Sequence, residues 1–397
     1  MICPIIIMQK NRILLMLYNS IIQKEVAAGK LKDACEQFNM SQNKKNVVVI
    51  GYGGMGGWHT RYLLESDVCN LAGIYDINPE RAKLANERGI FAYASFEDVL
   101  NDPKVDLVTI ATPNELHKPL AIKALAAGKN VISEKPVTLS SADLQEMIDA
   151  ADKAGKIFTV HQNRRWDVDY LMMKKAYKCG DLGEIFDVES RIQGSRGIPG
   201  DWRGKKEHGG GMILDWGVHL IDQMLGIVCD RKVEALYCRC DHITNKEVDD
   251  GFKLDLYFEG DLTARIEVGT SHFISMPRFY MAGTNGAAIV SDWRDACKVV
   301  SCKKWYEQNV VPVVTSAGLT KTMAPRDEKT TETYEIERMA SDVHDFYRNI
   351  VKAIDGIEPQ IVTHAQMMRV MKIMEAAFES DRTGAVVKVV GDEPVHV

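Results

Sequence analysis

Three groups of residues in this chain have types and spacings that could do chemistry. The first is Gly51, Gly53 and Gly56, with Gly54 and Met55 between them, in the run VVVIGYGGMGG. In a dinucleotide site such glycines give a tight turn, close approach of the backbone to a pyrophosphate, and close packing of helix on strand. A helix that starts there adds unpaired N–H groups and a partial positive charge for phosphate. Asp76 lies about twenty residues past Gly56, where a carboxylate can accept hydrogen bonds from the adenosine ribose. It would repel a 2′-phosphate, which favours NAD over NADP; Arg81 lies near and weighs the other way. The second group is Glu134-Lys135-Pro136, read as closing the fifth strand of the nucleotide domain. A lysine there could polarise a substrate oxygen, although a surface lysine after a strand is as common. Pro136 is a candidate for a cis bond. The third is GGGMILDWGVHLID, residues 209–222. Its Asp215 and His219 stand at i and i+4 and share a helix face. An Asp beside a His would raise its basicity and orient it as a general base. The competing readings are a helix-start Asp with a buried, satisfied His, or a two-ligand metal site that lacks a third ligand, with Asp222 structural.

The elements that must position these groups follow from hydrophobic rhythm. Apolar runs at Val47–Ile50, Leu71–Tyr75, Leu107–Ala111, Val131–Ser133 and Phe158–Val160 alternate with helical segments. The helices are expected at Trp58–Glu65, Pro79–Arg88, Glu115–Ala127 and Ser141–Ala154. This βαβα order predicts a doubly wound parallel sheet, in which ligands bind beyond the carboxyl ends of the strands. The crevice would then hold Gly51–Gly56, Asp76, Thr112, Asn114, His117, Glu134 and Lys135. Beyond about Asn163 the runs become longer and alternate with period two: Glu184–Gln193, Val233–His242, Phe252–Phe258, Thr263–Thr270, Arg278–Gly283 and Ala287–Ser291. They predict a mostly antiparallel sheet with helices on one face. Residues 292–335 read as an irregular polar excursion. Helices are expected over Ile336–Ile354 and Ala365–Ser380, and a last strand over Ala385–Val390. The chain therefore divides into an extension (1–44), a doubly wound dinucleotide-binding domain of Rossmann type (45–162) and an α/β domain (163–397), to which the resemblance given below assigns substrate binding and oligomerisation.

Bulk properties exclude some classes. A chain of 397 residues can bury two cores. A net charge of −6 offers no basic patch for nucleic acid, and no apolar run is long enough to span a bilayer. The nine cysteines are scattered, without C-x-x-C, as in reduced cytoplasmic proteins. A zinc site from Cys238, Cys240 and His242 is conceivable, but VEALYCRCDHI reads better as a strand, so no metal is expected. The extension lacks a basic n-region and a cleavage site, so a secretory signal is not expected. Arg12–Ala28 has helical spacing with Gly29 as a C-cap. It is either an arm packed on a partner subunit or a segment upstream of a start at Met40.

Polar and aromatic groups near the crevice are candidate substrate contacts. Arg164, Arg165 and Trp166 follow the last strand of the first domain, and Trp202 precedes the triple glycine. Arginine and aromatic side chains together suit stacking on a sugar ring and recognition of its hydroxyls, whereas either arginine could instead pair with a carboxylate at the domain junction.

Taken together, GYGGMG at 51–56, Asp76, ATPNELH at 111–117, EKP at 134–136, NRRWD at 163–167 and the run at 209–222 resemble the Gfo/Idh/MocA oxidoreductase family. The resemblance covers roughly residues 45 to 390. It implies a Rossmann domain followed by an α/β domain with an open sheet, and a homodimer or homotetramer. It implies NAD(P)-linked hydride transfer at a secondary alcohol of a sugar, polyol or glycoside, with Lys135, Asp215 and His219 as the catalytic trio. Asn114 and His117 would lie beside the nicotinamide. Trp202 and NRRWD are similar to those of members acting on glucosides at the 3-position. Two rivals remain: an NAD-dependent glycosidase in which oxidation is transient, and a non-catalytic NAD-binding regulator, which would have no need of the trio.

Overall fold

A computed structural model describes residues 44–305 and 311–395. The helix expected at 12–28, Gly29 and Met40 lie outside the described residues. Strand β1 (Lys45–Ile50) carries Val47, Val48 and Val49, all fully buried, as a strand covered on both faces requires. Around it stand β2 (Cys69–Tyr75), β3 (Leu107–Ile110), β4 (Asn130–Ser133) and β5 (Phe158–Val160), in the order β2-β1-β3-β4-β5. All pairings in this sheet are parallel. The chain runs outward from β1 in both directions, so the loops after β1 and β3 open into one crevice.

The connecting helices are α1 (Gly54–Glu65), α2 (Pro79–Glu87), α3 (Phe96–Asn101), α4 (His117–Ala126) and α5 (Ser141–Ala154). Short polar side chains start several of them: Asn78 accepts from the Glu80 N–H and Ser140 from the Asp143 N–H. Helix α1 begins at Gly54 rather than Trp58, because the glycine-rich turn itself supplies the first turn. A 3₁₀ turn over Asn114–Leu116 precedes α4, where regular helix was expected from Glu115.

The second sheet has nine strands. They are β6 (Ile185–Gln193), β7 (Val233–Asp241), β8 (Gly251–Phe258), β9 (Leu262–Gly269), β10 (Phe279–Gly283), β11 (Gly286–Val290) and β12 (Cys297–Cys302), followed, beyond the small hairpin β13 (Val313–Thr315) and β14 (Gly318–Thr320), by β15 (Thr331–Ile336) and β16 (Val387–Lys388). Their order is β15-β12-β11-β10-β6-β9-β8-β7-β16. Every pairing is antiparallel except β6 with β9. The helices α6 (Val168–Lys178), α7 (Val218–Ile227) and α9 (His364–Thr383) pack on the sheet, and α7 is buried along its whole length. Thr363 and Gln366 close a reciprocal capping box at the start of α9.

Two expectations need correction. Residues 292–335 are not irregular throughout: they contain β12, the hairpin and β15, whose short polar-apolar alternations (CKVVSC, TETYEI) are weak signals singly. The helix expected over Ile336–Ile354 begins only at His344, as α8 (His344–Ile354), because Ile336 ends β15 in the sheet. No described helix is long and apolar enough to cross a membrane.

The glycine-rich turn gives a direct test. A Cβ on Gly56 would lie 1.8 Å from the Gly51 carbonyl oxygen, whereas one on Gly57 meets nothing within 4 Å. Gly56→Ala should lower the thermal midpoint and weaken NAD titration at least about tenfold, a cost of roughly 1–3 kcal/mol from overpacking. Gly57→Ala should be neutral or stabilising by up to about 1 kcal/mol. Equal behaviour of the two variants would show that the turn tolerates separation of helix and strand.

Candidate active site

The crevice is built first by backbone. Gly51 has φ +90°, and a Cβ there would stand 2.6 Å from the Ala111 carbonyl oxygen, so only glycine lets β1 and β3 end this close together. Gly53 caps α1, and Gly54, Met55 and Gly56 lie in its first turn, whose N–H groups have no partner within the helix. Asp76 accepts the Tyr52 N–H at 2.7 Å and the Asn78 N–H at 2.8 Å. Each carboxylate oxygen keeps a lone pair for a ribose hydroxyl. These features fit a dinucleotide: a cradle that a Cβ would fill, a helix N-terminus and an acceptor. A cavity of about 570 Å³ extends from Gly54 and Met55 past Thr112 and Asn114 to Lys135, and is closed on the far side by Trp202 and Arg203.

At its inner end an ion-pair chain joins the two sheets. Lys135 follows β4, the fourth strand in sequence rather than the fifth, and the Lys135-Pro136 bond is cis. Its Nζ donates to Asp215 Oδ1 at 2.8 Å and to the Asp215 carbonyl at 2.9 Å. Arg203 Nε donates to the other Asp215 oxygen at 2.8 Å, and Arg203 Nη1 to Asp201 at 2.8 Å. Burial alone would raise the Asp215 carboxyl, but the Lys135 and Arg203 cations hold it below its usual range. Asp215 stands in a wide π-helical turn, Ile213–Gly217, that leads into α7, a distortion common at functional sites. Asp249 anchors the start of this turn by accepting the Ile213 N–H at 2.8 Å.

His219, on α7, was expected to be supported by Asp215. The geometry corrects this: among the described residues Asp215 bonds Lys135 and Arg203, not His219, and His219 Nδ1 is buried without a partner. Its pKa is driven well below the ordinary value, by burial first and then by the Lys135 and Arg164 cations. Burial and the neighbouring cations thus favour the neutral imidazole.

Several other expected site residues serve the scaffold. His117 is buried, with Nδ1 2.9 Å from the Pro136 carbonyl and Nε2 3.0 Å from the Thr112 carbonyl, so it ties the two loops together. Asn114 donates to the carbonyls of His208 and Gly209, tying the crevice to the triple-glycine turn. Arg165 is buried in a two-pronged pair with Asp222 (2.6 and 2.7 Å) and donates to Gln366. That geometry speaks against it as a substrate contact and for the junction reading. Trp166 packs edge-on against Phe346 in the core. Arg164 lies over the Trp216 ring at 4.2 Å and pairs with Asp167 at 3.0 Å. Trp202 does line the cavity, with the Arg203 guanidinium over its ring.

Sequence reasoning missed one buried cluster. Glu134 lines the crevice with its carboxylate held from behind: Oε1 lies 2.8 Å from His59 Nε2 and 2.8 Å from His161 Nδ1, and Oε2 accepts the Lys135 N–H. Tyr347 Oη stands 2.6 Å from His59 Nδ1. Burial alone would raise Glu134, but the two imidazoles hold it well below the usual carboxylate range. These four residues come from α1, the loop after β4, the end of β5 and α8, so no local pattern announces them. Among the described residues this is the one ligand-like cluster of His, Cys, Asp and Glu; Cys238, Cys240 and His242 form none.

Fold and site together define a dinucleotide-binding α/β protein with a buried ion pair at the inner end of its crevice. The chain belongs to the Gfo/Idh/MocA oxidoreductase family: residues 45–162 match its NAD-binding Rossmann fold and residues 170–289 its C-terminal domain. Membership makes it an NAD(P)-dependent oxidoreductase of the CH–OH dehydrogenase type. It is 30% identical over 359 residues to the uncharacterized oxidoreductase YhhX of Escherichia coli, covering 84% of this chain and 96% of that one. It is 29% identical over 341 residues to scyllo-inositol 2-dehydrogenase (NADP(+)) IolW of Bacillus subtilis, covering 85% and 93%. The crystal structure of an NAD-binding protein from Listeria innocua matches with a TM-score of 0.84 at 44% identity, over 87% of this chain and 100% of that one.

The buried histidines set a pH dependence. Burial lowers the pKa of His59, His117 and His219 below 6.5, while in the unfolded chain they titrate near that value. The folded state thus binds fewer protons, so the stability they confer is complete above about pH 6.5 and is lost as the pH falls through it. The thermal midpoint should drop steadily from about pH 7.5 to about pH 5; a flat profile would show that these rings are protonated in the fold.

Proposed function

We propose that the protein is an NAD-preferring dehydrogenase that oxidises a secondary alcohol of a sugar, polyol or glycoside. The observation that carries this reading is the Lys135–Asp215 pair at the inner end of the dinucleotide cavity, with His219 buried close enough to feel the Lys135 charge. When bound, the nicotinamide ring supplies the hydride acceptor. His219 accepts the hydroxyl proton through its free lone pair. Lys135 donates a hydrogen bond to the same oxygen and stabilises the charge that develops there. Asp215 holds the Lys135 ammonium in place, and Arg203 keeps Asp215 ionised and aimed. Trp202 offers an aromatic face to the ring. Asp76 favours NAD by repelling a 2′-phosphate, although the relative IolW bears an NADP(+) name, so both cofactors belong in the assay. The reading includes a 3-position glucoside as one candidate substrate. A homodimer or homotetramer is proposed from the nine-stranded sheet. A cytoplasmic location is proposed from the seven described cysteines, all free thiols.

The test is absorbance in the nicotinamide band with NAD or NADP and a panel of sugars, inositols and glucosides, with products weighed by mass spectrometry. NADH formation with loss of two hydrogens is expected. Aglycone release without NADH would favour the NAD-dependent glycosidase, and silence with NAD bound would favour the regulator. Lys135→Ala and His219→Ala should each lower turnover by about 100- to 10,000-fold while NAD still binds. Turnover like that of the native protein in either variant sinks the assignment.

A further inference from the structure

A second cavity, of about 490 Å³, lies against the first. Arg203 lines both, and Asp215, which lines the second, bonds Lys135 in the first. Arg203, bonded to Asp215, therefore stands where the two chambers adjoin. The second chamber opens at the carboxyl ends of β6 and β9, the parallel pair of the large sheet, which end side by side at Gln193 and Gly269. Ile192, Met212, Trp216 and Val268 give it an apolar surface, with Ser195 and Thr270 as small polar groups at its edge. Trp216 also stands edge-on to His219, at 6.2 Å between ring centroids. The loop 270–277 is tied to this rim: the His272 N–H donates to the Gly194 carbonyl and the Met276 N–H to Gln193 Oε1, both at 2.7 Å. That loop carries Phe273 and Ile274, each 86% exposed, as an apolar lip.

The geometry points to the second chamber as the seat of the aglycone of an aryl glycoside, whose sugar ring lies against Lys135, Asp215 and His219. This rests on the dehydrogenase reading above and names its substrate class. A free sugar or an inositol has nothing to place beyond the Arg203–Asp215 pair. An aromatic aglycone joined to the ring by one oxygen does, and it removes the apolar wall and lip from water. The polar pair then meets the hydroxyls and the glycosidic oxygen, while the apolar surface meets the ring. Charge at the pair fixes where the sugar ends, and apolar area sets how well the rest is held.

The experiment compares 4-nitrophenyl β-glucoside, methyl β-glucoside and myo-inositol as substrates of the native protein and of Ser195→Trp, which fills the chamber from an exposed position. In the native protein kcat/KM for the aryl glucoside should exceed that for the methyl glucoside at least about tenfold. In S195W the two should come within about twofold, with the methyl value and the thermal midpoint unchanged. Calorimetric titration of 4-nitrophenyl β-glucoside into the NADH complex reads the same site without turnover, and S195W should weaken it at least about tenfold. An aryl preference absent from the native protein, or intact in folded S195W, overturns the inference, as does failure of the aryl glucoside to bind. Oxidation of myo-inositol alone overturns it and leaves the dehydrogenase reading standing. Binding that S195W weakens, without oxidation of any of the three, upholds the chamber and sinks the dehydrogenase reading.

Discussion

One ammonium group holds the two halves of this site in register. Lys135 leaves the parallel sheet at the end of β4 and ends on Asp215, which belongs to the helix packed on the large sheet. Both partners are largely buried, with side-chain exposures of 13% and 7%. Removing either one would leave an uncompensated charge in a dry place, which costs more than the pair itself contributes. The pair is also saturated from outside: Arg203 takes the second carboxylate oxygen. The Lys135, Asp215 and Arg203 side chains therefore hold one another at the inner end of the crevice.

Behind Lys135 the same logic runs without net attraction to water. Glu134 is held by His59 and His161, with Tyr347 on the far side of His59. The Arg165–Asp222 pair and its bond to Gln366 do similar work at the junction. The buried bonds around Glu134 tie α1, the loop after β4, the end of β5 and α8 to one another, and so fix the orientation of the elements around the crevice.

Much of this was legible in the sequence, and the limits follow from physics. The five parallel strands were read from apolar runs bounded by glycine and proline, and the runs at 184–291 announced the large sheet by their period. Gly51, Gly56 and Asp76 were legible because a phosphate cradle needs a fixed local spacing. What failed was non-local. His59, Glu134 and His161 lie far apart in the chain, and nothing local distinguishes them from other polar residues. Asp215 and His219 suggested mutual support by spacing alone, but a carboxylate follows the strongest cations within reach, and Lys135 and Arg203 were nearer. The strands β12 and β15 were missed because six residues of mixed polarity carry too little pattern, and only pairing with each other defines them.

The parallel pair inside the large sheet has a consequence for how the chain is made. Strand β6 lies between β9 and β10, with Asp187 opposite Thr263 and Glu189 opposite Tyr280. The strand at the middle of the sheet can find its first neighbour only when the chain has passed Gly269, and its second only when it has passed Gly283. The first sheet pairs strands that follow one another closely and can close while that synthesis continues. The second closes late, over long loops whose entropy must be overcome before any contact rewards it. Lys135 would thus be folded and waiting before Asp215 is brought to it.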